Sequence, residues 1–117
     1  MALSDAAMIV AANALRSAIT HAQLHTGAPG GSGTTNVSSA GRQAITWAAA
    51  SGDGDFSLAS ALNFTGGAAN GPCQYVSLWS ASSGGTFYGS YALTGDATFN
   101  SAGEYQVTAL TLNGSAT

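Results

Sequence analysis

Apolar positions fall into two regimes along the chain. Residues 4–18 carry Met8, Ala11, Leu15 and Ala18 at i, i+3, i+7 and i+10, the spacing of one helical face. Ala-rich composition supports a helix there, and Ser4 followed by Asp5 supplies an N-cap and a charge suited to the positive end of the helix dipole. Asn13, Arg16, Ser17 and Thr20 lie on the other side, so the expectation is a helix with its apolar stripe packed down and a narrow polar face outward.

After the helix the period changes to two. Residues 19–26 read as a short strand, and 27–41 (GAPGGSGTTNVSSAG) as a long Gly/Ser/Thr loop with no apolar face to bury. Strands are expected at 42–50, with Ile45 and Trp47 on one face, and at 55–64, with Phe56, Leu58, Leu62 and Phe64 on one face. Residues 73–81 set Val76 and Leu78 against Tyr75 and Trp79, so both faces are bulky and the strand should be central and covered on both sides. SSGG at 82–85 reads as a tight turn with glycine where positive φ is needed, and 86–93 as the returning hairpin strand. A short strand or edge segment at 95–99 precedes a last strand at 104–114. There Tyr105, Val107 and Ala109 should face opposite to Leu110 and Leu112. Turns fall at 51–54 and 66–71, and no internal repeat is visible. The fold class expected is mainly β: an antiparallel β-sandwich or small barrel with one N-terminal α-helix, in a single domain over 1–117.

Charge changes the picture. Asp, Glu, Lys and Arg make up 6% of the 117 residues, against roughly 25% in an ordinary soluble domain. There is no lysine, and Arg16 and Arg42 are the only arginines. No apolar run reaches the roughly 20 residues that cross a bilayer, and disorder normally accompanies low hydrophobicity with high charge. The remaining explanation is a surface covered by partners, because ions are depleted where interfaces exclude water. Two arginines and a net charge of −3 provide no basic patch, so neither nucleic acid nor an anionic membrane is an expected partner.

Chemistry is sparse. Cys73 is the single cysteine, which rules out an intrachain disulfide and fits synthesis in a reducing cytosol. No basic residue precedes the first apolar stretch and Asp5 interrupts it, so a secretory signal is not expected, although Ala12-Asn13-Ala14 resembles a cleavage site. The Asn-x-Ser/Thr triplets at Asn36, Asn63 and Asn113 would matter only in a secretory pathway. His21 and His25 have the helical spacing of two zinc ligands, yet Ala22 stands where the protease pattern needs Glu. On a strand they would lie about 13 Å apart at ~3.3 Å per residue, too far to share an ion. Asp53-Gly54-Asp55 resembles part of a calcium loop, but Phe64 occupies the position of the closing Glu, and a turn accounts for it. Cys73 has no evident activator and reads as a small buried hydrophobe. No enzyme, metal or cofactor is expected.

Three ordered stretches carry a family resemblance: LHTGAPGGSGTTNVS (24–38), GRQAITWAAASG (41–52) and YVSLWSASSGGTFYGSYAL (75–93). Together they resemble small virion proteins of tailed actinobacterial phages. Such proteins pair a Leu-His-Thr-x-x-Pro-Gly loop with an Arg-Gln-Ala-hydrophobic-Thr-Trp strand and a later Leu-Trp-Ser-Ala-x-x-Gly-Gly-Thr-Phe hairpin. The resemblance spans roughly residues 4–113. Ala28 stands where members often carry Asp, which puts a capping role of that side chain in doubt. The resemblance implies a structural virion component of head decoration, head fibre, minor tail or tail fibre type, made in the host bacterial cytoplasm.

The leading expectation is a capsid decoration or minor capsid protein. It would bind the outer face of the major capsid protein, stabilise the shell and self-associate symmetrically, a trimer being one arrangement. The alternative is a minor tail or tail-fibre module bound to tail proteins, with Tyr75, Trp79, Tyr88 and Tyr91 forming a face for glycan or protein unless they serve hairpin packing. The expected contact surfaces are the 27–41 loop, through Thr34, Thr35, Asn36 and Val37 with Arg42 beside it, and the helix face around Asn13 and Arg16. The choice of the loop rests on its lack of internal packing.

Overall fold

The computed structural model describes residues 3–95 and 97–113. The expected strands at 95–99 and 104–114 each include a residue, Asp96 and Gly114, outside that range. Helix α1 (Asp5–Ala18) starts where the sequence indicated: Ser4 Oγ accepts the Ala7 N–H at 3.2 Å. Eight short strands follow: β1 (His21–His25), β2 (Gln43–Ala44), β3 (Phe56–Ser57), β4 (Leu62–Phe64), β5 (Tyr75–Trp79), β6 (Phe87–Ala92), β7 (Tyr105–Val107) and β8 (Thr111–Leu112).

All pairings are antiparallel. One sheet has the order β2-β1-β5-β6, and β3-β8 and β4-β7 form two-stranded pieces. The result is mainly β with a single N-terminal helix. Among the described residues no barrel closes, so of the two architectures expected from the sequence the sandwich is the compatible one.

β5 is central, as its two bulky faces required. Val76 and Leu78 join Ala22 and Leu24 of β1 in the main core, which also takes Phe56, Leu62, Phe64, Phe99 and Val107. Ser77 and Trp79 are buried on the opposite face. Gly84 and Gly85 take φ of 62° and 78° in the turn before β6, the left-handed conformations the SSGG segment called for.

The strands expected at 55–64 and 104–114 do pair with each other, but not as one ladder. β3 and β8 pair with Phe56 opposite Leu112, whereas β4 and β7 pair with Leu62 opposite Val107. Four residues (58–61) therefore face three (108–110), a one-residue bulge. The bulge turns both Val107 and Leu110 into the core, at 3% and 5% exposure, and corrects the expectation that they face opposite ways. The strand expected over 42–50 also shrinks, to Gln43–Ala44 and an isolated bridge between Trp47 and Leu58. Trp47 anchors this segment by donating Nε1–H to the Ile19 carbonyl at 2.9 Å and meeting Phe56 edge-on at 5.0 Å.

The helix packs more lightly than its stripe suggested. Ala12 is its one buried residue, Leu15 packs partly on the core, and Ala11 is exposed. The inward line runs through half-buried Met8 and Leu15 with buried Ala12 and Ile19, so Met8 and Leu15 keep their expected places while Ala12 and Ile19 stand in for Ala11 and Ala18. Gly54, buried with φ 99°, lets the 51–55 turn approach the helix: a Cβ there would sit 2.8 Å from the Met8 carbonyl oxygen.

Candidate functional site: a braced surface loop

The loop at 27–41 is tied to the sheet beneath it. His25 closes β1 with its ring on the same face as Ser77 and Trp79, and all three are buried, His25 and Ser77 completely. The His25 Nδ1 lies 2.9 Å from the Thr35 carbonyl oxygen, which can only accept, so Nδ1 carries the proton. In the neutral ring Nε2 then accepts the Ser77 hydroxyl at 2.7 Å, and Ser77 Oγ accepts the Trp79 Nε1–H at 2.7 Å. Burial is the main cause that pulls the His25 pKa below its ordinary value, and nearby Arg42 adds to it. Both causes favour the neutral tautomer this chain of bonds needs.

Further ties fix the loop's shape. Thr26 N–H donates to the Asn36 carbonyl at 2.8 Å, Thr35 N–H to that of Pro29 at 3.0 Å, and Ser38 N–H to that of Leu24 at 3.0 Å. Asn36, at φ 55°, turns its amide back onto the Ala28 carbonyl at 3.1 Å. Gly33 (φ +74°) lies flat on Phe87, where a Cβ would sit 2.4 Å from the ring, and Phe87 in turn packs on Trp79 at 5.4 Å. This corrects the premise that the loop lacks internal packing. Its side chains at Thr34, Thr35, Asn36 and Val37 are nevertheless exposed, Val37 by 46%.

Arg42 stands beside the loop as a brace. Its Nε donates to Gln23 Oε1 at 3.0 Å, and one terminal nitrogen donates to the carbonyls of Ala81 and Gly84, both at 2.8 Å. The guanidinium carbon lies 4.1 Å above the Trp79 ring. Arg42 thus joins β1 to the 81–84 turn and roofs the tryptophan.

Asn13 and Arg16 form a separate place on the helix. Arg16 donates to Asn13 Oδ1 at 2.7 Å and to the Trp47 carbonyl at 3.3 Å, tying the last helical turn to the 45–47 segment. Its Nε is buried without a hydrogen-bond partner. Of the four aromatics considered for a binding face, Trp79 is buried and Tyr75 half-buried, while Tyr88 and Tyr91 on β6 are 43% and 36% exposed. An apolar groove of about 230 Å³ opens between α1 and the sheets, lined by Met8, Leu15, Phe56, Tyr91 and Leu112 among others.

His21 bonds to Thr20 Oγ1 at 2.9 Å, away from the His25 network. Among the described residues no group of three or more His, Cys, Asp or Glu side chains could hold a metal ion. Asp53 and Gly54 lie in a turn closed by the Gly54 and Asp55 N–H groups on the Ser51 carbonyl at 3.0 and 2.9 Å. Cys73 is fully buried, and burial pushes its thiol up to about 12.

Sequence reasoning missed the His25–Ser77–Trp79 network. The available signal was a pair of polar residues, His25 and Ser77, at positions that become inward-facing once β1 and β5 are set in register.

This small β module spends its polar side chains bracing a surface loop. Residues 4–115 match the family model described as podophage GP4 fiber I protein gp80. The chain belongs to that family, and the match covers nearly the same span as the virion-protein resemblance carried by the sequence motifs. No curated protein matches the chain.

Proposed function

We propose that the protein is a non-enzymatic subunit of a fibre on a podophage particle, working by contact with neighbouring fibre or tail proteins or with the host surface. The family match over residues 4–115 carries this reading. It favours the fibre alternative over the capsid-decoration role that led the sequence reading, because the family is described by a fibre and not by a shell. The braced loop at 27–41, with Thr34, Thr35, Asn36 and Val37 outward, is the contact surface this reading assigns first. Asn13 and Arg16 form the second. The complete burial of Cys73 and the buried, internally bonded His25 agree with a role without catalysis.

Copy number and position in purified particles test the proposal. A fibre subunit is present in few copies relative to the major capsid protein, and antibody labelling places it away from the shell faces. One copy per shell subunit, or a simple fraction of one spread evenly over the shell, returns the decoration reading.

A further inference from the structure

We propose that β6 is a self-pairing edge, through which two copies of this chain join their four-stranded sheets into one of eight strands. The inference goes beyond the fibre reading and stands whichever part of the particle holds the chain.

The direction of the β6 backbone follows from its bonds to β5. Leu93 N–H donates to Gln74 O at 2.8 Å and Ser80 N–H to Thr86 O at 3.1 Å. With Leu78 opposite Gly89 and Val76 opposite Tyr91, the backbone groups of Gly89, Tyr91 and Leu93 point at β5. Those of Ser90 and Ala92 therefore point outward, and among the described residues β6 is the last strand of the sheet. At its C-terminal end an open groove of about 240 Å³ separates Tyr91–Thr94 from residues 105–111.

Edges of this kind are normally blunted by charge, proline or a covering element. β6 reads Phe-Tyr-Gly-Ser-Tyr-Ala, and residues 73–95 contain no Asp, Glu, Lys, Arg or His and no proline. The one irregularity, a register shift that leaves Tyr88 unmatched between Gly89 and Phe87, lies at the start of the strand. A charged partner strand would bury ions against this edge without counter-ions, whereas a second β6 would not.

The strand is also complementary to itself in shape. A two-fold axis through Ser90 sets Ser90 against its own counterpart and Ala92 against Tyr88 of the second copy. The same register sets Tyr91 across from Gly89. Each tyrosine then covers a small residue, the aromatic-over-glycine arrangement that stabilises sheet edges. Shifting the axis to Gly89 stacks the two glycines on each other, and shifting it to Tyr91 opposes the two tyrosines. Growth stops at two copies, because the far edge, β2, is two residues long and Val37 bridges His25 beyond it. A closed two-fold pair follows, in place of the three-fold arrangement raised from the sequence.

Sedimentation over a wide concentration range, together with amide hydrogen exchange, tests this on the unmodified protein. The expected result is a reversible dimer, with the amides of Ser90 and Ala92 protected at high concentration and released on dilution. The amides of Gly89 and Tyr91 stay protected throughout. Ser90→Pro removes an outward N–H that β5 does not use, so the monomer keeps its fold while two symmetry-related hydrogen bonds vanish. Dimer affinity should drop roughly 100-fold. Ser90→Lys should have a similar effect that high salt partly reverses, since it sets two like charges face to face. A chain that stays monomeric at millimolar concentration overturns the proposal. So do outward amides that exchange as fast as those of the 82–85 turn, and an oligomer of any size that Ser90→Pro leaves intact, which would place self-association on another face such as the groove under α1.

Discussion

His25 and Ser77, 52 residues apart in sequence, meet at 2.7 Å beneath the 27–41 loop, where neither is reached by solvent. The bond closes a line that runs from Trp79 Nε1–H through Ser77 and His25 to the Thr35 carbonyl. Buried polar groups of this kind stabilise when every member is satisfied and cost heavily when one is removed.

Ser77→Ala should therefore destabilise the protein by roughly 2–3 kcal/mol, because it strands both the Trp79 indole N–H and the His25 Nε2 in the interior. Urea unfolding of the two proteins measures the difference. A loss below a few tenths of a kcal/mol would mean the network contributes nothing net.

Acid should act through the same histidine. An unfolded histidine titrates near 6.5, whereas burial holds the folded His25 below that value. Below the unfolded value the unfolded chain takes up a proton that the folded chain does not. The stability His25 gives is thus complete above the unfolded pKa and is lost progressively as pH falls through the folded one. The melting temperature of the native protein should drop faster than that of His25→Gln as pH is lowered from about 7.5 to about 5. Parallel curves for the two proteins would refute this.

Arg42→Lys should cost roughly 1–3 kcal/mol in spite of keeping the charge. An ammonium cannot reach Gln23 Oε1 and the carbonyls of Ala81 and Gly84 together while lying flat over Trp79. Trp79 fluorescence and unfolding free energy should change together, and an unchanged spectrum would argue against the brace.

Cys73 should resist alkylation in the native protein at neutral pH and react only on unfolding, since the thiol is buried and its pKa is pushed up to about 12. Rapid labelling under native conditions would show that the 71–74 segment opens readily.

Much of the fold was legible because its signals are local. Ser4 announces the helix start, Gly84 and Gly85 the hairpin turn, and the two bulky faces of 73–81 a strand covered on both sides. The bulge between 58–61 and 108–110 was not legible, since a one-residue slip leaves no mark on either strand's own alternation. It shows only as a pairing offset, and with it went the facing of Val107 and Leu110. The site was less legible than the fold. Loop 27–41 looked unsupported because its anchors are a backbone carbonyl at Thr35, a missing side chain at Gly33 and a histidine whose partner is distant in sequence. Arg42 was picked out as a surface cation, although its role as a brace depends on turn carbonyls that carry no sequence signature.

The His25 tether has a thermodynamic consequence for docking. A segment rich in Gly, Ser and Thr would ordinarily lose much of its freedom on meeting a partner, and that entropy would be subtracted from the affinity. Here the fold already ties the backbone of 27–41 through Pro29, Thr35, Asn36 and Ser38, so a partner docking on Thr34 to Val37, as proposed, would lose less binding energy to ordering it.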